Sequence, residues 1–557
     1  MYDKQFYHPG QHMFKPFLLI SVLGCSIIAN ASTDFHELEQ LFEEWRTFET
    51  PPLHEGAPDY RATTFALREP QWAAFKRRLL AMDRNGWSVP EQVDWFVVLA
   101  ELNGFDFNHN VLKPWARDPA FYKQVWTYQS DVPAHEGPTP HFVTELWTYD
   151  FPLSEAEQHR LNTDLSRIPP LQQQARKNLT GNARELWVAG IRDLRTQHQV
   201  LTGLTAVIQT SNNPALINTL QQAIESTADF IVWLEQQAAG KTGPSGLGKT
   251  QYSWYQKHVH LVPMSWQDEV RLLQRELDRA WASLKLEEHR NRKLPQLPSA
   301  ANAAEYDALA KRSADYFLNW LKDEDILTYK DYFKPALYRH LGQFVPAETR
   351  HFFYIGSHLD PTPLYAHFYH WFELAIMVND PNPRLIRQKA LLYNIFDSRN
   401  EGTATAVEET FLHAGLYDHN PRAKEIVWIM LAQRAARGLG SLYAHANDMT
   451  MEEAGNIHMN WTPRGWMKTE KELLIFEQHL YLRQPGYGTS YVTGKALLER
   501  AMAQKAKEDE AQGHEFTLKS FFDELNAIGG IPIALGTWEL TGIKPAFLEE
   551  VEAEARQ

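Results

Sequence analysis

The sequence predicts an all-α protein, and three observations carry that reading. Apolar residues recur at spacings of three and four along most of the chain. Capping residues stand where several of these stretches begin. Period-two runs bounded by turns are scarce, the best being a short stretch around Leu146 to Tyr149, which predicts at most a small hairpin.

The N-terminus sets the compartment. Lys15 precedes the apolar run Phe17 to Ile28, and Ala29-Asn30-Ala31 follows. A basic flank, a short apolar core and a small-x-small site read as a secretory signal covering residues 1–31, with Met13 an alternative start. Val22-Leu23-Gly24-Cys25 also has the look of a lipoprotein cleavage box, which leaves lipidation of Cys25 open. The chain is therefore expected to be exported, periplasmic or secreted. Cys25 is its only cysteine, so cleavage after Ala31 leaves no disulfide and no thiol nucleophile. No later stretch is long and apolar enough for a transmembrane segment. With a net charge of −14 and no basic cluster, nucleic acid is not an expected partner.

The first long helical pattern runs through residues 214–240. Leu216, Leu220, Ala223 and Ile224 share a face with Phe230, Ile231, Leu234 and Ala238, and Gly240 stands as a C-cap. GPSGLGKT, Gly243 to Thr250, follows and matches the phosphate-cradling pattern G-x-x-x-x-G-K-[ST]. That motif binds a nucleotide only between a buried strand and a helix. Here a helix precedes it, so the stretch reads as a Gly-rich turn and no nucleotide is expected.

Ser265 with Asp268 opens the next helix, whose stripe is Val270, Leu273, Leu277, Trp281 and Leu284. Residues 290–301, RNRKLPQLPSAA, form a Pro-punctuated connection. Helical patterns return over 302–323 and 422–446. The mature chain, residues 32–557, reads as one large helical body with an N-terminal half to about 290 and a C-terminal half from about 300.

The polar constellation lies in that second half. DPTP, Asp360 to Pro363, can cap and open a helix carrying His367, His370 and Glu373 at intervals of three. On one straight helix neighbouring pairs share a face, but all three cannot converge. Glu401 and Glu408 stand seven apart on another helical stretch and so face the same way. Two histidines with one or two carboxylates from a facing helix suit zinc or another divalent metal.

Several motifs resemble the large bacterial family catalogued as domain of unknown function 885. They are SGLGKTQY (Ser245 to Tyr252), EGTATAVEE with GLYD (Glu401 to Asp418), RAARGLGSLYAH (Arg434 to His445), LRQPGYGTSYVTG (Leu482 to Gly494) and PWARDPAFY (Pro114 to Tyr122). The resemblance implies a helical fold related to zinc carboxypeptidases of the Taq and angiotensin-converting-enzyme type, with a deep channel. It implies His367, Glu373 and Glu401 as the metal set, zinc first among the ions. Tyr491, His445, Arg434 and His370 follow as catalytic or supporting groups. The family's zinc motif is altered here. Phe368 stands where the base Glu belongs, Glu373 falls near the place of the second His, and Ser441 replaces an Asp. With Pro and Gly absent, the helix is expected to continue past His370.

Two readings follow. One is a peptidase-like metallohydrolase acting on a peptide or small molecule, with a rearranged ligand set. The other is a pseudoenzyme that keeps the fold as a periplasmic binding or scaffolding protein.

Overall fold

Helix ends fall where the capping residues stand. In this computed structural model, which describes residues 33–468 and 471–557, Ser265 and Asp268 close a capping box at the start of Trp266–Arg290. Asn213 caps Pro214–Ala238 and Asn302 caps Ala303–Asp323 through side-chain oxygens that accept a backbone N–H. The secretory signal and Cys25 lie outside the described residues.

The fold is all-α. Among the described residues the strands are two short pairs. Leu53–His54 runs antiparallel to Ala57–Pro58, and Val125–Trp126 runs parallel to Thr144–Glu145. The expected hairpin around Leu146 to Tyr149 is not formed: Leu146–Thr148 is a 3-10 turn. The Thr148 hydroxyl donates to the Glu145 carbonyl at 2.7 Å, and that local bond closes the turn that competes with a strand.

The helix Ala423–His445 is buried on nearly every face and forms the axis of the molecule. Trp266–Arg290, Met451–Trp461 and Tyr487–Gln512 pack around it. The largest apolar core gathers side chains from these helices and from residues 303–379 and 397–417. A second core joins N-terminal residues such as Trp45 and Trp95 to Ile531, Trp538 and Val551 near the C-terminus. No helix among the described residues is long and apolar enough to cross a membrane.

Two local features position the candidate site. Asp397–His413 and Tyr487–Gln512 cross in backbone contact, where a Cβ on Gly402 would meet the backbone of Gly494 at 2.5 Å. Only glycine permits that approach. The second feature corrects an expectation. The stretch after His367 is not one continuous helix, because Thr362–His367 ends at Phe368 (ψ 14°) and a new helix, Tyr369–Asn379, begins.

GPSGLGKT lies between two helices, Pro214–Ala238 and Lys249–His258. Its Ser245 hydroxyl accepts from the N–H groups of Glu185 (3.0 Å) and Leu186 (3.3 Å), capping the helix Arg184–Gln209. Gly246 presses on the carbonyls of Ala444 and His445, and Lys249 pairs with Asp448 at 2.9 Å. The turn ties three helices together.

Candidate metal centre

Glu401 stands beside Gly402 at the helix crossing, so the close approach sets its carboxylate against the first turns of Tyr487–Gln512. Tyr487 and Tyr491, four apart and on one face, both donate their hydroxyls to Glu401 Oε1, at 2.6 and 2.9 Å. The other oxygen, Oε2, lies 3.2 Å from His370 Nε2. His370 and Glu401 are almost fully buried.

His367 joins them across the break at Phe368. Its ring centroid is 5.0 Å from that of His370, at an interplanar angle of 89°. His367 Nδ1 lies 2.9 Å from Glu408 Oε1, and Arg434 braces the same carboxylate at 2.6 and 2.7 Å. Burial and the Arg434 charge hold the His367 pKa below its ordinary value, so the ring is neutral. Its Nδ1 also lies 3.1 Å from an Arg434 N–H, so that nitrogen faces both a carboxylate oxygen and a guanidinium donor. A carboxylate held beside an imidazole is a common support of a metal-ligating histidine.

His367, His370 and Glu401 bring one ligand atom each to within 4.8 Å of one another. His370 Nδ1 is buried without a hydrogen-bond partner. Two imidazoles and a carboxylate, with an orphaned ring nitrogen among them, suit zinc or a similar divalent ion. A second group of the same spacing, Asp131, Glu136 and Glu401, shares the glutamate. Glu136 comes from a distant loop, and its carboxyl lies 2.8 Å from the Tyr487 hydroxyl.

The charges are strongly skewed. Burial alone would lower the His370 pKa, but Glu401 beside it raises it to about 9. Burial would raise Glu401, and His370 outweighs it, bringing the carboxylate to about 2. The metal-free pair is therefore imidazolium and carboxylate. Glu136 has no such partner: burial and the nearby Asp131 push it up to about 8. Asp397, buried near Glu401, is pushed well above the carboxylate range and shares a hydrogen bond with Gln484. Burial keeps Tyr487 and Tyr491 protonated as donors. Arg437 lies over the Tyr491 ring, 4.0 Å from its centroid.

The structure thus brings together His367, His370, Glu401, Tyr491 and Arg434. It does not bring in Glu373, the metal ligand expected near the place of the second His. The Glu373 carboxylate pairs with Arg399 and accepts from Asn400 at 2.9 Å, because the break at Phe368 turns His370 inward in its place. His445 also lies apart, its Nε2 donating to the Tyr481 carbonyl at 2.7 Å. Ser441 is buried with no hydrogen-bond partner for its hydroxyl, so the altered Asp position adds no carboxylate here. Sequence reasoning missed Tyr487 and Glu136. Tyr487 had a signal, the four-residue spacing to Tyr491; Glu136, in PAHEGPTP, had none.

No protein-family model matches this chain, and no curated protein matches it. Solved structures do. One is a candidate lipoprotein of unknown function from Shewanella oneidensis, 14% identical, with a TM-score of 0.65 over 91% of this chain and 98% of that one. Another is a candidate lipoprotein from Colwellia psychrerythraea, 13% identical, with a TM-score of 0.65 over 92% and 99%. The likeness is one of fold, and it spans nearly the whole of each chain.

Proposed function

We propose that this chain is an exported, peptidase-like metallohydrolase whose divalent ion is held by His367, His370 and Glu401. The observation that carries the reading is the convergence of those three buried side chains, with Glu408 and Arg434 holding the His367 ring. Export is supported by the N-terminal signal pattern and by the fold shared with candidate lipoproteins. The resemblance to the domain of unknown function 885 supports the hydrolase class.

A divalent ion held there would lower the pKa of a bound water and polarise a carbonyl. The remaining work falls to residues of the chain. Phe368 cannot carry a proton, so the proton carrier is Glu136, whose carboxyl is pushed up by burial to about 8. Tyr487 and Tyr491 hold the Glu401 carboxylate in place through their hydroxyls. Arg434 and Glu408 keep the His367 ring in place. A second reading, a binding protein without catalysis, is favoured by Phe368 at the position of the family's base.

Metal content of residues 32–557, measured by mass spectrometry against a His367→Ala, Glu401→Ala double variant, tests the centre. Bound metal in the parent that disappears in the variant supports it. No metal in either protein after incubation with zinc, manganese and iron removes it. Hydrolysis of a panel of peptides and esters, abolished by Glu136→Gln with metal retained, separates the enzyme from the binding protein.

A further inference from the structure

A cavity of about 370 Å³ opens beside the centre, between the N-terminal helices and the segment that carries Glu136. That volume suits a small organic ligand. Its wall is aromatic. Phe65 and Trp115 lie 4.4 Å apart between ring centroids, and His109 sits 4.9 Å from Phe65 and 4.8 Å from Trp115. Tyr60 and Tyr393 also line it. Burial lowers the His109 pKa to about 4, and the ring contacts the Phe105 carbonyl at 2.9 Å, so it acts as a neutral ring.

The charges at this cavity are unevenly matched. Glu49 is engaged by His141 Nε2 at 2.9 Å and by the Tyr393 hydroxyl at 3.4 Å. Arg483 is engaged by Asp118 at 2.6 Å and by the Pro138 carbonyl at 2.7 Å. Arg68 differs. Its guanidinium donates to the Phe48 carbonyl and lies 4.4 Å over the Phe48 ring, and the Glu49 carboxylate acts on it through charge without a direct ion pair. A guanidinium not tied up in a direct ion pair, at the edge of a ring-lined cavity, can recognise an anion attached to an aromatic group.

We propose that this cavity binds an aromatic carboxylate, its ring on the wall formed by Phe65 and Trp115 and its carboxylate on Arg68. The cavity shares a partition with the metal centre. Gly137 and Pro138 line the cavity, while Glu136 on the same segment reaches Tyr487. Gln484 ties the two sides, accepting from Gly137 N at 2.6 Å and donating to Asp397 at 2.5 Å. The cavity is then the place where an aromatic substrate rests, a clause that depends on the hydrolase reading; the binding itself does not.

The test is calorimetric titration of metal-free residues 32–557 with 3-phenylpropionate, alongside benzylamine and hexanoate. Saturable binding of 3-phenylpropionate is expected, weaker by about tenfold or more in Arg68→Gln. Arg68→Lys keeps part of the affinity. Trp115→Ala weakens it, and benzylamine and hexanoate bind poorly. Glu401→Gln leaves it unchanged, which separates this site from the metal centre. No saturable binding up to about 10 mM in folded protein overturns the proposal. So does equal binding by a folded Arg68→Gln, or loss of binding in a folded Glu401→Gln. Normal metal content in the parent protein then leaves the hydrolase reading standing.

Discussion

A Cβ built on Gly494 would lie 2.6 Å from the Cα of Gly402 and 2.2 Å from the Ser398 carbonyl oxygen. The two helices that carry Glu401 and its tyrosines touch at that point through bare backbone. Gly494→Ala or Gly402→Ala must therefore push the helices apart, at a cost of roughly 1–3 kcal/mol or more. Gly455→Ala, in the helix Met451–Trp461 with open space at its Cβ, is the control and should stabilise by roughly 0.5–1 kcal/mol. Thermal unfolding of the three variants checks the order; a Gly494→Ala protein as stable as the parent would contradict the crossing.

Glu373 and His370 make opposite predictions for metal. His370→Ala removes a ligand and should weaken divalent-ion binding by at least about tenfold. Glu373→Gln should leave metal content intact and act on stability, because its carboxylate is committed to Arg399 and Asn400. Zinc titration of both variants checks this, and metal lost from a folded Glu373→Gln would restore the assignment made from sequence.

Acid should loosen the fold at Glu409. Burial opposes its ionisation, yet hydrogen bonds from Arg279 and the charge of Lys495 bring its pKa down to about 2 from 4.5. A carboxylate depressed in the folded state contributes stability that is complete above the unfolded value and lost as pH falls through the folded one. The window is pH 4.5 down to 2, and the contribution is about 3 kcal/mol. Denaturant unfolding across that window should show a shallower pH slope for Glu409→Gln than for the parent.

The nucleotide-like turn should respond to size and not to charge. Lys249 forms an exposed pair with Asp448, so Lys249→Ala should cost no more than about 1 kcal/mol. Gly246→Ala should cost several times as much, since its Cβ would sit 2.4 Å from two carbonyl oxygens. Thermal melts rank the two; a larger loss from Lys249→Ala would show that the lysine has work of its own.

Much of this was legible in the chain. The Ser265–Asp268 box marks a helix start because capping is local chemistry. Glu401 and Glu408 share a face because seven residues are close to two helical turns, and each meets one histidine. The break at Phe368 was not legible, since neither proline nor glycine announces it. It depends on tertiary packing, and it decides whether His370 or Glu373 faces Glu401. Glu136 was hidden for a different reason: it reaches Tyr487 across a sequence separation of 351 residues, which no local spacing encodes. The stretch at Leu146 to Tyr149 misled because alternation over so few residues fits a 3-10 turn as well as a strand.

The His370–Glu401 pair has a bearing on the order of assembly. Many small metal domains collapse only when their ion arrives, because the empty ligands repel or stay unpaired. Here the imidazolium and the carboxylate neutralise each other inside the closed bundle. The chain can complete its folding before any cation is present, and an ion arriving later must displace a proton instead of organising a coil. On the proposed reading, the choice of metal then falls after folding, to what the surroundings supply.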